Sequence, residues 1–445
     1  MKIVHISKAE YREHGGASRA ANRLHRGLRA IGQDSWMFVA RRELNDPNVI
    51  AFQRPRGLAA YLTRTARFAH LRSDSKRIES AVRTGLSEYF SDDRSEHGAN
   101  PLVQLPDADI FNLHWVSDFV DYRRFLPVAS RRAPLVWTLH DMIPFTGGCF
   151  STEGCDRFTS QCGGCPQLGS SSESDLSRRT WKRKRSAYQR IPPGRLHVVA
   201  PSRWLAAEAA RSSLLRDVPI TVIPHGLDAK VFSPKGRSFA RQVLDLPQDK
   251  KIILWAAWAK AGGGRRLKGG ELFVQSLQGL ADQRDLLVVS VGAENRLADL
   301  GIPHISLGLI ADERLMALAY SAADIYVTSS LQESFGYTIL ESMACGVPVV
   351  AFNVTGIPDL VRDGVTGTLA LSSDAAGLRA AILHTFADPA RLAWMGANCR
   401  RIAVQEYSSE IYARRYTALY EEVLAVNRAS EKNAGHATSE FATVR

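Results

Sequence analysis

Two glutamates, Glu333 and Glu341, could bind a ligand or take part in catalysis. They have seven residues between them in the stretch SLQESFGYTILESMACGVP (330–348). Gly336 precedes a short helix predicted from Tyr337 to Cys345, whose apolar positions repeat at helical spacing. The start of a helix presents N–H groups and the positive end of the helix dipole, which suits a phosphate. Glu341 lies about 6 Å inside this helix by its rise per residue, whereas Glu333 stays in the loop. The spacing predicts two carboxylates that grip hydroxyl groups on either side of a bound diphosphate.

A second candidate for chemistry is the basic loop WAKAGGGRRLKGG (258–270), which follows a predicted strand and precedes a helix. Its Lys268 stands in a KG step, and either Lys260 or Arg266 can supply a second cation. Fixed cations stabilise the negative charge that develops on a phosphate leaving group. We therefore expect Lys268 and one of these two partners to hold a diphosphate.

Polar residues also follow the predicted strands of the amino-terminal half. A strand from Lys2 to Ser7, a turn at Gly15 and Gly16, a helix and a further strand form a unit of Rossmann type. Later, the strand LVWTLHD (135–141) ends in His140. Because the carboxyl ends of parallel strands share one edge of a sheet, His140 is predicted to lie at that edge.

The stretch 330–348, with YSAADIYVTSS (320–330) and AFNVTGIPDLVRDGVTGTLA (351–370) around it, resembles the donor site of family-four retaining glycosyltransferases of the GT-B fold. The resemblance covers most of residues 1–425 and includes colanic-acid and exopolysaccharide transferases. It implies an α/β protein with two Rossmann-like domains facing a central cleft and a C-terminal helix that crosses back to the first domain. It also implies transfer of a sugar from a nucleotide-sugar donor to a saccharide or lipid-linked saccharide, in cell-surface polysaccharide biosynthesis.

The resemblance further implies residue roles. His140 contacts the transferred sugar, Glu333 binds the sugar and Glu341 binds ribose hydroxyls, while Lys268 and its basic partner stabilise the leaving group. The other donor-binding positions that it implies are Gly16, Lys260, Gly292, Ser334, Phe335, Gly336 and Tyr337. No DxD metal triad is apparent in the predicted donor domain, so we expect no cofactor for the chemistry beyond the UDP- or GDP-linked donor itself.

Four cysteines cluster directly after His140. They are Cys149, Cys155, Cys162 and Cys165. A CxxC pair with two more thiols close by can bind tetrahedral zinc, although the spacing is not that of a standard zinc finger. We predict a structural zinc beside the acceptor site, with reduced or disulfide-linked thiols as the alternative.

The net charge of +12 and the pI near 9.5 predict an anionic partner. Two basic runs, 55–95 and 177–190, are either solvated helix faces or contacts with an anionic membrane surface. No run of 18 apolar residues occurs, and the start MKIVHISKAE is typical of a strand rather than a signal peptide. We expect a cytoplasmic protein, with attachment to the inner face of the plasma membrane as a further expectation.

The predicted organisation has four parts. Residues 1–228 form an acceptor-side domain with a cysteine-rich loop at 149–165, residues 229–405 a donor domain, residues 406–427 a crossover helix and residues 428–445 a disordered tail. Two alternatives of other classes stay open. One is a sugar-nucleotide epimerase of the same fold, and the other is a basic nucleic-acid-binding protein with a zinc knuckle, although no nucleic-acid partner is expected.

Overall fold

The computed structural model describes residues 1–10, 15–87, 89–256, 267–292 and 301–442. The chain divides into two compact units. The first contains Met1–Pro201, Leu205–Ile223 and Tyr412–Arg445, and the second contains Ser202–Trp204 and Pro224–Ile411. Each unit has its own sheet, and the paired strands of both sheets run parallel. The predicted α/β class with two Rossmann-like domains is therefore confirmed.

The first unit is built on a seven-stranded sheet. Its strands are β1 (Lys2–Ala9), β2 (Asp34–Arg41), β3 (Val49–Ala51), β4 (Ile110–Leu113), β5 (Leu135–Thr138), β6 (Leu196–Ala200) and β7 (Ile220–Val222). Their order in the sheet is β3-β2-β1-β4-β5-β6-β7. Strands β4 and β5 are buried throughout, as parallel strands covered on both faces require. The order reverses between β1 and β4, which makes that edge a topological switch point.

Six helices accompany this sheet along the chain. They are α1 (Gly16–Ala30), α2 (Leu58–Arg83), α3 (Asn100–Val103), α4 (Tyr122–Arg132), α5 (Leu176–Tyr188) and α6 (Arg203–Arg211), with short 3-10 turns at Ile143–Phe145, Arg157–Thr159 and Pro166–Leu168. Helix α1 buries Leu24 and Leu28 against Ile3 of β1. Aspartates cap two of the helices: Asp121 accepts from a backbone N–H of α4, and Asp175 does so for α5.

The second unit is built on a six-stranded sheet. Its strands are β8 (Lys251–Ala256), β9 (Leu286–Val291), β10 (His304–Ser306), β11 (Ile325–Thr328), β12 (Val349–Phe352) and β13 (Gly367–Ala370), in the order β10-β9-β8-β11-β12-β13. Successive residues of β12 enter different cores: Val349 and Ala351 pack in one, Val350 and Phe352 in the other. The sheet thus has an apolar core on each face.

Helices cover both faces of this sheet, because its strand residues alternate between two apolar cores. They are α7 (Arg237–Val243), α8 (Gly270–Gln278), α9 (Glu313–Ala322), α10 (Tyr337–Ala344), α11 (Ala375–Phe386) and α12 (Pro389–Tyr407), with a 3-10 turn at Ile357–Asp359. Helices α9, α10 and α12 contribute to one core, and α8 and α11 contribute to the other. The apolar positions predicted to face inward on α10 are buried, among them Ile339, Leu340 and Met343.

The last helix, α13 (Ser409–Ala442), differs from the prediction at both ends. It begins after a break at Ser408, because Leu227 hydrogen-bonds the backbone of both Tyr407 and Ser409. It also continues through residues predicted to be a disordered tail from Arg428. Those residues include alanine, glutamate and lysine and lack proline, a composition that favours helix. Tyr412, Tyr416 and Tyr420 of α13 pack in the core of the first unit, as the crossover prediction requires.

Candidate functional site

The predicted donor residues collect at one edge of the second unit's sheet. The strand order reverses between β8 and β11, so the segments that follow these two strands flank a topological switch point. The segment after β8 leads to Lys268, and the segment after β11 carries Glu333 and then α10. Ligands of doubly wound sheets bind in the crevice at this point. The fold thus brings Lys268, at the described end of the basic loop, and the stretch 330–348 to one place.

Lys268 and Glu333 form an ion pair across this switch point, although they are 65 residues apart in sequence. The Lys268 side chain is 40% exposed and that of Glu333 is 17% exposed. Ser330 donates from Oγ to the same carboxylate oxygen at 3.0 Å. The Glu333 backbone is fixed as well, because its N–H donates to Thr355 Oγ1 at 2.9 Å and its carbonyl accepts from Gly356 N at 3.0 Å. A cation and a carboxylate are therefore held side by side at the edge where doubly wound sheets bind their ligands.

The backbone beside Lys268 is locked to the loop after β11. Ser329 donates from Oγ to the Lys268 carbonyl at 2.8 Å, and Leu331 N donates to Leu267 O at 2.7 Å. Gly269 has a φ of +61°, and a Cβ at this position would lie 2.0 Å from Ser329 O. Only glycine permits this approach, which sets the position of the Lys268 side chain.

We expect Gly269→Ala to lower the free energy of unfolding by about 2–4 kcal/mol, because it adds a steric clash to an unfavourable φ. Gly308→Ala is the matched control, since Gly308 has a φ of +66° with open space around its Cβ position. It should cost only about 1 kcal/mol. Urea unfolding of both variants measures the difference, and equal losses would show that the contact with Ser329 is not tight.

Glu341 is 2% exposed, so it is not the solvated surface residue that a chance motif would give. It lies in α10, and Tyr320 of α9 donates from its hydroxyl to Glu341 Oε2 at 3.3 Å. Burial raises the pKa of Tyr320 well above its ordinary value, and the Glu341 carboxylate adds to the rise. Burial, together with Glu341, also raises the pKa of Cys345 to about 12. A buried carboxylate with a neutral hydroxyl beside it is suited to accept hydrogen bonds from a ligand's hydroxyl groups.

An aromatic group that sequence reasoning did not predict supports the start of α10. His225 stacks on Tyr337, with ring centroids 5.3 Å apart and planes 1° apart, and it packs edge-on against Phe335 at 4.9 Å. Gly336 between these two aromatic residues has a φ of +95°. His225 belongs to the PHGLD turn (224–228), more than 100 residues earlier in the chain. Only the tertiary fold reveals this contact.

Four more residues were predicted at the donor site, and their donor roles stay predictions. Gly292 directly follows β9, has a φ of +151° and donates from its N–H to Gly308 O at 2.9 Å. Gly16 is the first residue of α1 and is exposed in the first unit. Lys260 and Arg266 lie outside the described residues, so the choice between them as partner of Lys268 stays open.

In the first unit, His140 follows β5 and belongs to a chain of three histidine rings. His140 Nε2 lies 3.1 Å from His114 Nδ1, and His114 Nε2 lies 3.0 Å from His5 Nδ1. His5 and His114 are buried, whereas His140 is half-buried. Desolvation lowers the pKa of His140 to about 3, so its ring is neutral at pH 7. The neighbouring Asp141 is also buried, which raises its pKa to about 7.

The four clustered cysteines line one cavity of about 20 Å³. Cys162 Sγ accepts from Gly147 N at 3.1 Å, and the Cys165 carbonyl accepts from Leu168 N at 3.1 Å. All six cysteines of the chain are free thiols. As placed, no three histidine, cysteine, aspartate or glutamate side chains of the described residues are grouped as metal ligands. The structural zinc therefore stays a prediction.

The two basic runs differ in their surroundings. In 177–190, Arg178 pairs with Glu173, Arg179 with Asp74 and Arg183 with Asp92 and Asp93, so acids from other segments neutralise several of its charges. In 55–95, α2 turns its apolar side chains outward: Leu58, Tyr61, Leu62 and Phe68 are 54–75% exposed. None of the described helices has both the length and the apolar character that a bilayer-spanning segment requires.

Residues 256–388 match the family model described as Glycosyl transferases group 1. These residues form a group 1 glycosyl transferase domain. The match covers the segments that carry Lys268, Glu333 and Glu341, and it confirms the family resemblance of the stretch 330–348.

Curated proteins that are similar to this chain are named as sugar transferases. It is 31% identical over 223 residues to a D-inositol 3-phosphate glycosyltransferase of Thermobispora bispora, which covers 46% of this chain and 51% of that protein. It is also 31% identical over 234 residues to the lipopolysaccharide core biosynthesis mannosyltransferase LpsB of Rhizobium meliloti, over 49% of this chain and 65% of that protein. The chain spans about half the length of the curated relatives it matches.

Solved structures of glycosyltransferases share the fold that contains this domain. Sucrose-phosphate synthase from Thermosynechococcus elongatus aligns over 96% of this chain and 100% of that chain, with a TM-score of 0.60 and 19% identity. Anabaena Alr3699/HepE in complex with UDP-glucose aligns over 95% and 100%, with a TM-score of 0.59 and 18% identity. At these identities the likeness shows the GT-B fold.

Proposed function

We propose that this chain is a retaining glycosyltransferase that moves a sugar from a nucleotide-sugar donor to a saccharide or lipid-linked saccharide acceptor. The observation that carries the proposal is the Lys268–Glu333 pair, which lies with the buried Glu341 at the switch point of a group 1 glycosyl transferase domain. Related names among the curated relatives support the same class of reaction. The LpsB similarity favours a role in cell-surface polysaccharide biosynthesis.

In the proposed reaction, the bond between the anomeric carbon and the β-phosphate oxygen breaks, and the acceptor oxygen bonds to the anomeric carbon on the same face. The electron pair of the broken bond leaves with the nucleoside diphosphate, on which negative charge develops, and the acceptor hydroxyl proton passes to an oxygen of the departing β-phosphate. Lys268 and the backbone N–H groups of Ser334 to Tyr337, which lead into α10, stabilise that charge. Glu333 binds the sugar, Glu341 the ribose hydroxyls and His140 the transferred sugar from the first unit.

A thermal-shift screen with UDP, GDP, ADP and their common sugar conjugates tests donor binding. A ligand that binds only the folded state raises the melting temperature by mass action. UDP-glucose is the first conjugate to test, because the similar Anabaena Alr3699/HepE structure holds it. One nucleotide series should raise the melting temperature and the others should not. Folded protein that responds to none of them would contradict the proposal.

We also propose that α2 attaches the protein to an anionic membrane, at the inner face of the plasma membrane, where lipid-linked acceptors lie. Its outward apolar residues are accompanied by exposed Arg72, Lys76 and Arg77, and this combination suits a helix that lies on anionic lipid. Inward residues do contact the unit: Asp74 binds Arg94 at 2.7 Å, and Ile78 packs against the apolar cluster that contains Phe90 and Leu176. The apolar outer face therefore has a different role from packing within the unit.

The double variant Leu62→Asp/Phe68→Asp should weaken binding to vesicles that contain phosphatidylglycerol by about tenfold or more, because both apolar side chains leave the lipid. Val103→Asp is the matched control, since Val103 is 83% exposed and lies on α3. Co-sedimentation with vesicles of phosphatidylglycerol and phosphatidylcholine measures the binding. Equal binding by the parent and both variants would exclude α2 as the contact.

Finally, we propose that the four cysteines bind a structural zinc. Two observations support it besides their shared cavity. The Gly147 N–H already points at Cys162 sulfur, and such a donor stabilises a thiolate. Lys184, which is fully buried beside this loop, donates only to the carbonyls of Ile143 and Thr146 among its hydrogen bonds in the described structure. A buried ammonium is stabilised by negative charge: Asp93 and Asp92 supply part of it, and zinc-bound thiolates of Cys149 and Cys162 would add to it.

Metal analysis of the purified full chain should find about one zinc per chain. Cys162→Ser should lower the zinc content by at least about half, because one ligand is lost. The control Cys399→Ser removes a buried thiol of the second unit and should leave the zinc content unchanged. Protein that contains no zinc while all four thiols remain intact would contradict this proposal.

A further inference from the structure

The three histidine rings of the first unit come from different strands at the switch point of its sheet. His5 lies within β1, His114 follows β4 and His140 follows β5. His114 is tied to β1 because its N–H donates to Ile6 O at 2.9 Å. Ring-to-ring hydrogen bonds of 3.0 and 3.1 Å then connect the buried His5, through His114, to the half-buried His140. The chain runs from the core toward the residue proposed to meet the sugar.

A neutral imidazole has one N–H and one lone pair, so a chain of neutral rings must be ordered head to tail. The order has only two directions. In one, each ring donates from Nδ1 toward His140. In the other, each ring donates from Nε2 toward His5. The His5 end of this row of histidine rings decides between the two directions, because the nitrogen of His5 that does not face His114 lies in the core.

That remaining nitrogen is His5 Nε2, which is buried and has no hydrogen-bond partner among the residues that the structure describes. An unpaired lone pair in the core costs less than an unpaired N–H, and orphaned N–H groups are the rarer of the two in proteins. His5 should therefore carry its proton on Nδ1 and donate to His114 Nε2. His114 Nδ1–H then donates to His140 Nε2, which leaves the proton of His140 on Nδ1. Burial lowers the pKa of His5 as well, consistent with a neutral ring at the start of the chain.

We propose that His5 and His114 are positioning residues that hold His140 as the neutral Nδ1–H tautomer. The consequence for catalysis rests on the proposed function. In that function, His140 meets the sugar as a hydrogen-bond donor through Nδ1–H and does not act as a general base through Nε2. A fixed donor suits recognition of a sugar hydroxyl oxygen, and its orientation is set before the ligand arrives.

Histidine-selective ¹⁵N labelling of the full chain tests the proposal without any substrate, because one ring nitrogen with a proton and one without give separate signals. The His140→Gln variant assigns the His140 signals. In the parent protein at pH 7, His140 should be the Nδ1–H tautomer. A His140 found as the Nε2–H tautomer, or a His114 found as the charged imidazolium, would overturn the proposal.

Two substitutions at His5 separate positioning from packing. His5→Asn keeps an N–H donor near the place of Nδ1, whereas His5→Leu removes it. The asparagine variant should keep the Nδ1–H tautomer of His140, and the leucine variant should show a mixture of tautomers with kcat lowered about tenfold and KM for the donor little changed. His197→Gln, a half-buried histidine of β6 bonded to Thr221, is the control and should change neither readout.

The same experiment distinguishes the two proposals. If the chain shows no sugar transfer but His140 has the expected tautomer, only the proposed function fails. If transfer occurs but His5→Leu leaves the His140 tautomer unaltered, the positioning role of His5 is wrong.

Discussion

The variant Lys268→Met should retain less than about one hundredth of the parent kcat for sugar transfer, because removal of one preorganised group that stabilises developing charge typically costs 100- to 1,000-fold. In the proposed reaction, negative charge develops on the β-phosphate as its bond to the anomeric carbon of the sugar breaks. Lys268 is well placed for this role, since its backbone is locked to the loop after β11 and its ammonium is partly exposed. Steady-state rates at saturating donor measure the effect.

A matched control comes from the same sheet. Lys250 directly precedes β8, so it lies at the opposite edge, where its ammonium donates to Arg284 O at 3.0 Å. Lys250→Met should keep the parent kcat within about twofold, since surface substitutions away from a site have small effects. A Lys268→Met variant that is folded and as active as Lys250→Met would show that Lys268 does not stabilise the leaving group.

The second large effect is expected at Glu341, whose carboxylate is proposed to bind the ribose. Glu341→Ala should weaken binding of the nucleoside diphosphate about 10- to 100-fold, because hydrogen bonds to a charged group contribute about 1.5–3 kcal/mol. The same variant also leaves the Tyr320 hydroxyl without this acceptor, so the free energy of unfolding should fall by about 1–3 kcal/mol. Isothermal titration calorimetry and urea unfolding measure the two effects separately.

Tyr320→Phe distinguishes loss of the ligand contact from loss of the internal hydrogen bond. It removes the Tyr320–Glu341 bond but leaves the carboxylate in place. We expect it to bind the nucleotide within about threefold of the parent. If Glu341→Ala binds the nucleotide as tightly as the parent protein, the ribose assignment is wrong.

The sequence predicted much of the fold because the strands are short apolar runs bounded by polar turns. The structure places β9 at Leu286–Val291 and β6 at Leu196–Ala200, the bounds that apolar runs indicate. The donor stretch was equally readable, since Gly336, the start of α10 and both glutamates lie within a few residues of one another. Local sequence patterns are sufficient to predict an element whose residues lie close together in the sequence.

Contacts between distant segments were not predictable from one sequence. The Lys268–Glu333 pair depends on β8 and β11 being neighbours in the sheet, and the histidine chain depends on β1, β4 and β5 being adjacent. The basic run 177–190 contains no acid, yet its arginines bind acids that are up to 105 residues away. Likewise, the break at Ser408 arises from pairing with Leu227 and not from a local breaker residue. Tertiary proximity decides these features.

The measurement that tests the central claim most directly is incubation of the purified chain with the donor identified by thermal shift and a panel of saccharide and lipid-linked acceptors. Mass spectrometry detects the glycosylated acceptor, and a coupled assay detects the nucleoside diphosphate. We predict that both appear together, that release of nucleoside diphosphate depends on the acceptor and that Lys268→Met lowers the rate of both about 100-fold or more. Conversion of the donor to an isomeric nucleotide sugar without any acceptor, in protein that binds the donor, would contradict the account and favour an epimerase.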